Sequence, residues 1–134
     1  MNTKVCYMYR DASNYKKYQS VVVNGSISFE DAKTIFSKCE GYQEEEFCSG
    51  DFDREHGQYI GDTQMLFIPE QVGLPAERFD EISEDDHCYF ELQGLEPTQD
   101  AADWDLVDAK QLVERFAAVD RWNEEEYTPI PDYE

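Results

Sequence analysis

A histidine set among carboxylates is the first arrangement in this 134-residue chain that could do chemistry. Asp85, Asp86 and His87 are consecutive, and Glu91 follows on the same predicted strand. An imidazole oriented by one carboxylate and facing another can take and return a proton, as a general base does. Arg10 would anchor an anionic substrate beside it, because a guanidinium grips a carboxylate or phosphate through paired hydrogen bonds. The set is incomplete. No glycine-rich phosphate loop is present, and no nucleophile sits at a strand-to-helix elbow. A histidine flanked by acids at a strand start is more often a stabilised cation than a catalyst.

Metal ligation has weaker support. Asp51, Asp53, Glu55 and Asp62 place oxygens at positions 1, 3, 5 and 12 of a calcium-loop count. Gly57, however, falls at position 7 of that count, where such a loop needs its glycine at 6, and position 12 is Asp in place of the longer bidentate Glu. A solvated acidic loop is the expectation. Cys39, Cys48 and His56, with His87 and Cys88, are soft ligands, but zinc sites draw on pairs two to four residues apart and these are not so spaced. No metal or cofactor is expected, and the four cysteines (Cys6, Cys39, Cys48, Cys88) are read as reduced thiols.

Charge narrows the partners. Against 31 acidic residues stand 11 basic ones, a net charge of −20. That repels phosphate backbones and anionic membranes, so direct nucleic-acid binding is not expected. Residues 1–40 carry a net +2 and the remaining 94 carry −22. The positive end offers an anion- or partner-binding loop, with Arg10, Asn14, Tyr15 and Lys16 as candidates; Glu70, Gln71, Asp86 and His87 are candidates in the later stretches. The competing reading is that Arg10 and Lys16 pair with the chain's own carboxylates. Glu44, Glu45, Glu46, Asp51, Asp53, Glu55 and Asp85 form the acidic surface. Acids keep a small protein dispersed. A regular array of them could also imitate a DNA backbone.

Six elements must position these groups. Lys4–Arg10 alternates as a strand that is apolar on both faces, which suits a central position. Gln19–Val23 is a β-branched strand expected to pair antiparallel with it across a long loop. Ser28 is a good N-cap for a helix over 29–39, stopped by Gly41. Residues 41–62 read as an acidic loop, with Gln58–Ile60 extending as a strand. Met65–Ile68 is a short buried strand ended by Pro69, and Gly73 supplies φ > 0 so that Val72 and Leu74 fold back onto the core. One helical turn is expected around 77–79. His87–Leu92 alternates as a strand, ended by Gly94 and Pro97, and 104–122 reads as an amphipathic helix capped by Asp103. The fold expected is a single two-layer α+β domain over 1–122, a mostly antiparallel sheet under two helices. Residues 123–134 are expected to be an acidic, poorly ordered tail.

Three stretches together resemble a family of small uncharacterised bacterial proteins: 9–16 (Tyr-Arg-Asp-Ala-Ser-Asn-Tyr-Lys), 67–75 (Phe-Ile-Pro-Glu-Gln-Val-Gly-Leu-Pro) and 84–87 (Glu-Asp-Asp-His). The resemblance covers 21 of the 134 residues and implies a folded bacterial cytoplasmic protein, with the three stretches converging in space. It carries no activity. Where the family has an aromatic and sometimes a second histidine after the first, this chain has Cys88, Tyr89 and Phe90, which counts against a paired-histidine site.

The start lacks the apolar run of a signal peptide, and no stretch reaches the ~20 apolar residues of a membrane span, so a cytoplasmic location is expected. The functional expectation is a small acidic module that binds another protein through its acidic face or the loops at 9–18 and 67–75. The alternatives are a DNA-mimic inhibitor of a nuclease or DNA-binding protein, and a small enzyme or metal protein using the Asp86, His87 and Glu91 region. Abundant charge and surface-capable aromatics, with no complete catalytic set, make a non-enzymatic role the leading expectation.

Overall fold

The computed structural model describes residues 1–79, 82 and 86–129. Its centre is β1 (Asn2–Arg10), whose Val5, Tyr7 and Tyr9 are buried on one face. β2 (Lys16–Val23) lies antiparallel beside it in unbroken register, from Thr3 opposite Val23 to Arg10 opposite Lys16. The turn between them is tied by Asp11. Its Oδ1 accepts from the N–H groups of Ser13 and Tyr15, and Asn14 takes the left-handed conformation at φ 67°. A short polar side chain makes that conformation tolerable.

α1 (Phe29–Ser37) starts where its cap predicts, with Ser28 Oγ accepting from the Asp31 N–H, and buries Ala32, Ile35 and Phe36. The acidic stretch that follows is not a structureless loop. It forms a single turn α2 (Glu44–Glu46), a wide turn at Phe47–Asp51, and a hairpin of β3 (Phe52–Asp53) and β4 (Gln58–Tyr59). Aromatic anchors hold it down: Phe47 stacks on Phe52 at 5.0 Å and both pack on Phe36. The carboxylates between these anchors therefore sit on a lobe attached to the core.

β5 (Leu66–Phe67) and β6 (Phe90–Thr98) complete one antiparallel sheet in the order β2-β1-β6-β4-β3, with β5 also pairing β6. α3 (Ala109–Ala117) packs beside α1, and Leu112 and Phe116 enter the core together with Phe67 and Phe90. The result is the expected α+β domain, antiparallel sheet and helices around one core.

Several boundaries differ from the sequence reading. β6 begins at Phe90 and runs through Gly94 and Pro97. Gly94 is opposite Cys6 where the register shifts, so its lack of a side chain serves a bulge in the strand. The Leu95 N–H donates to Gly57 O at 2.7 Å, so the odd-numbered residues here point their N–H groups away from β1. Pro97 lies opposite Thr3 of β1, but β4 pairs only as far as Gly94, so the missing N–H of Pro97 faces the side with no strand to donate to among the described residues. The last long helix starts at Ala109 because Asp108 and Gln111 form a reciprocal capping box. Asp103 instead accepts from the Val22 N–H at 2.7 Å and closes one end of the β2 edge. No helical turn forms at 77–79. The start of the expected tail forms α4 (Glu124–Tyr127), held by a hydrogen bond from Tyr89 Oη to Glu124 Oε1 at 2.7 Å. Residues 130–134 lie outside the described residues, as do Glu84 and Asp85.

Candidate functional site

Tyr9 and Arg10, at the end of β1, meet Asp86 and His87. Tyr9 is fully buried, and its hydroxyl donates to Asp86 Oδ1 while accepting from the His87 N–H at 3.2 Å. Burial first, and then the hydrogen bond to Asp86, push the Tyr9 hydroxyl well above the usual phenol range. The next residue continues the contact. His87 Nε2 lies 2.7 Å from Arg10 O, and the Tyr89 N–H points at Nδ1 at 3.1 Å. A carbonyl only accepts and an amide N–H only donates, so the ring is held as the Nε2–H tautomer with both nitrogens engaged.

Arg10 is engaged too. Nε donates to Glu91 Oε2 at 2.9 Å, Nη2 reaches Oε1 at 3.4 Å, and Nη1 donates to Asn14 Oδ1 at 2.7 Å. The pair is half-shielded, which puts its contribution at about 1 kcal/mol. Arg10, Asp11, Gln64, Leu66, His87, Tyr89 and Glu91 line a cleft of about 290 Å³. So the residues of the enzyme reading do converge, Asp86 excepted, which faces Tyr9. What converges is a bonded network. The imidazole has no free nitrogen to take a proton, and the guanidinium already holds a carboxylate.

The remaining candidates divide. Tyr15 is 68% exposed, and its ring meets Phe79 edge-on at 6.4 Å. Lys16 is exposed, and among the described residues no carboxylate oxygen lies within 4.0 Å of its ammonium. Self-pairing therefore holds for Arg10 and not for Lys16. Glu70, on the tight turn Pro69–Val72, pairs with Arg78 at 3.1 Å. Gln71 faces elsewhere: its amide donates to Arg121 O at 3.0 Å and accepts from the Asn123 N–H at 2.8 Å. At the corner 67–75, Phe67, Ile68, Val72 and Leu74 are buried, and Glu70, Gln71 and Gly73 are half-buried.

Arg78 is the residue the sequence reading passed over. Its side chain is 9% exposed. It donates to His87 O, Cys88 O and Glu70 Oε2, each at 3.0–3.1 Å, with its guanidinium 4.8 Å from the Phe90 ring centre. It clips the 86–88 segment to the 69–75 corner. The available signal was a single base inside an otherwise acidic stretch, 75–86.

In the acidic lobe, Glu44, Glu45, Glu46 and Glu55 are exposed, and Asp51 and Asp53 are half-buried. Asp53 Oδ1 accepts from the N–H groups of Glu55 and His56, and Oδ2 meets His56 Nδ1 at 2.7 Å. Those bonds make a turn of the stretch that a calcium ion would need to coordinate. Lys33 pairs with Glu44 at 3.0 Å. Among the described residues, no group of three His, Cys, Asp or Glu side chains is arranged to hold a metal ion, and no helix is long and apolar enough to cross a membrane. All four cysteines are free thiols. Burial, and then Glu96, push the Cys6 thiol up to about 12.

Comparison with protein-family models, with curated proteins and with solved structures finds no match to this chain.

Proposed function

We propose that this chain is a non-enzymatic cytoplasmic module that binds a basic surface of another protein through the acidic lobe at 44–55. The observation that carries this reading is the engagement of Arg10, His87 and Glu91 with one another and with the backbone. The groups most suited to chemistry are holding the fold, whereas the exposed carboxylates of the lobe are mostly unneutralised. The lobe is anchored by Phe47 and Phe52, so a partner would meet a preformed surface and little ordering entropy would oppose binding. Charge complementarity of this kind acts mainly on association rate and choice of partner. A DNA-mimic inhibitor is the sharper version of the same idea. The enzyme reading keeps one point in its favour, the shared cleft of Arg10, His87 and Glu91.

The test is a tagged pull-down from the native host's lysate, with and without nuclease, repeated with Arg10→Ala and with Glu44, Glu45 and Glu46 all changed to Gln. A stoichiometric partner lost only when the lobe is neutralised supports the reading. If that partner binds DNA, mimicry becomes the leading form. A partner lost only with Arg10→Ala moves the interface to the cleft, and no partner under any condition rejects the module.

A further inference from the structure

We infer that the cleft between the 69–73 corner and the 118–123 segment binds a small carboxylate- or phosphate-bearing anion between Arg115 and Arg121. The cleft encloses about 550 Å³ and is lined by Gln71, Arg115, Ala118, Val119, Asp120, Arg121 and Asn123. That volume suits a small-molecule ligand. It is independent of the acidic lobe, so either idea can fail without the other.

Three observations carry it. First, acids outnumber bases 31 to 11 in this chain, yet among the described residues neither guanidinium has a carboxylate oxygen within 4.0 Å. Arg10 and Arg78 are both engaged by carboxylates, and Arg54, which also has none within that distance, lies instead over the Phe29 ring.

Second, the surroundings of both are built. Gly73 stands at φ +85°, and a Cβ there would lie 2.8 Å from Arg115 Nη1. The missing side chain is the seat of that guanidinium. Trp122 is turned inward, its indole N–H donating to Lys38 O at 2.9 Å, which leaves Arg121 and Asn123 on the outer side. Gln71 fixes the backbone of both through the two hydrogen bonds already described.

Third, the lining of the cleft itself holds more cations than acids. Arg115 and Arg121 face one carboxylate in the cleft, Asp120. Lys38 adds a cation behind them, its ammonium donating to Val119 O at 3.1 Å. Acids beyond about 8 Å are screened at physiological ionic strength, while Glu124, Glu125 and Glu126 line the adjoining pocket, which shares Arg121 and Asn123 with this cleft. Guanidinium donors in fixed fork geometry are the best protein match to a planar carboxylate or a phosphate. The competing account is that Arg115, in the last turn of α3, only complements the helix dipole.

The experiment is an amide NMR titration at constant ionic strength with sodium phosphate and, separately, citrate. It uses the full chain and the variants Arg115→Gln, Arg121→Gln and, as control, Arg54→Gln, whose guanidinium lies over the Phe29 ring. Saturable shifts at residues 71–73 and 118–123 with at least one anion are expected. Each cleft variant should weaken binding by about tenfold or more, and the control should leave it unchanged. The dispersed spectrum of each variant establishes that it is folded. Linear, unsaturated shifts with both anions up to about 20 mM overturn the inference, as does saturable binding that survives both cleft variants or is lost equally in the control.

Discussion

Replacing Arg78 by alanine should be the most damaging single truncation of a charged side chain in this protein. The side chain is 9% exposed and donates to two backbone carbonyls and one carboxylate. Hydrogen bonds from a charged group contribute about 1.5–3 kcal/mol each, and orphaned carbonyls add a desolvation cost. Glu70, whose side chain is 32% exposed, can recover water, which lowers the sum. The expected loss is about 3–5 kcal/mol, in the range for breaking a buried charge pair. Domains of this kind are stable by about 5–15 kcal/mol in total, so the variant should fold with little margin. Its thermal midpoint should fall by about 10–20 °C. Urea denaturation followed by circular dichroism gives the free energy, and hydrogen exchange at Cys88–Phe90 reports whether the local clip is lost first. Arg78→Lys should recover less than half of the loss, because an ammonium cannot span three acceptors held by different segments. A loss below about 1 kcal/mol for Arg78→Ala would refute the reasoning, since it would mean that the 86–88 segment is held by other contacts.

Two further predictions concern the acidic lobe. Gly57 stands at φ +71°, and a Cβ there would lie 2.1 Å from Leu95 O, so Gly57→Ala should cost about 2 kcal/mol or more in the same denaturation assay; a neutral result would show that the β4–β6 contact yields easily. The exposed Asp53–His56 pair should give a pH signature. The hydrogen bond to Asp53 raises the His56 pKa above its usual 6.5, and the hydrogen bond from His56 lowers that of Asp53. His56 therefore contributes stability that is full below the ordinary imidazole value and lost as pH rises through the raised one. Asp53 contributes above the ordinary carboxylate value and loses it as pH falls through the lowered one, so the pair acts in the window between. In an NMR titration the His56 midpoint should lie above 6.5 and fall back in Asp53→Asn; an unmoved midpoint would sink this account.

Local signals predicted local structure well. The alternation of Val5, Tyr7 and Tyr9, the Ser28 cap, and the turn chemistry at 11–14 specify β1, α1 and the first hairpin through contacts a few residues apart, which any window of sequence contains. Gly73 marks its left-handed turn for the same reason, since only backbone sterics are involved. The net charge is likewise a property of composition, independent of how the chain folds.

What the sequence could not decide depended on neighbours distant along the chain. Pro97 ends most strands, yet β6 passes through it because β4 has already ended on that side. Asp103 reads as a helix cap in isolation, and only Val22, 81 positions away, shows it to be engaged elsewhere, whereas the box of Asp108 and Gln111 was a local signal. Phe47 and Phe52 look like loop residues until Phe36 stands above them. The site shows this most fully: Asp86, His87 and Glu91, with Arg10, read as an incomplete catalytic set, and Arg78 did not register at all. Tertiary structure brings Arg10 to Glu91, 81 positions away, and turns both nitrogens of His87 to the backbone. A side chain's chemistry is set by which donors and acceptors its pocket leaves unused, and that pocket exists only once the strands have paired.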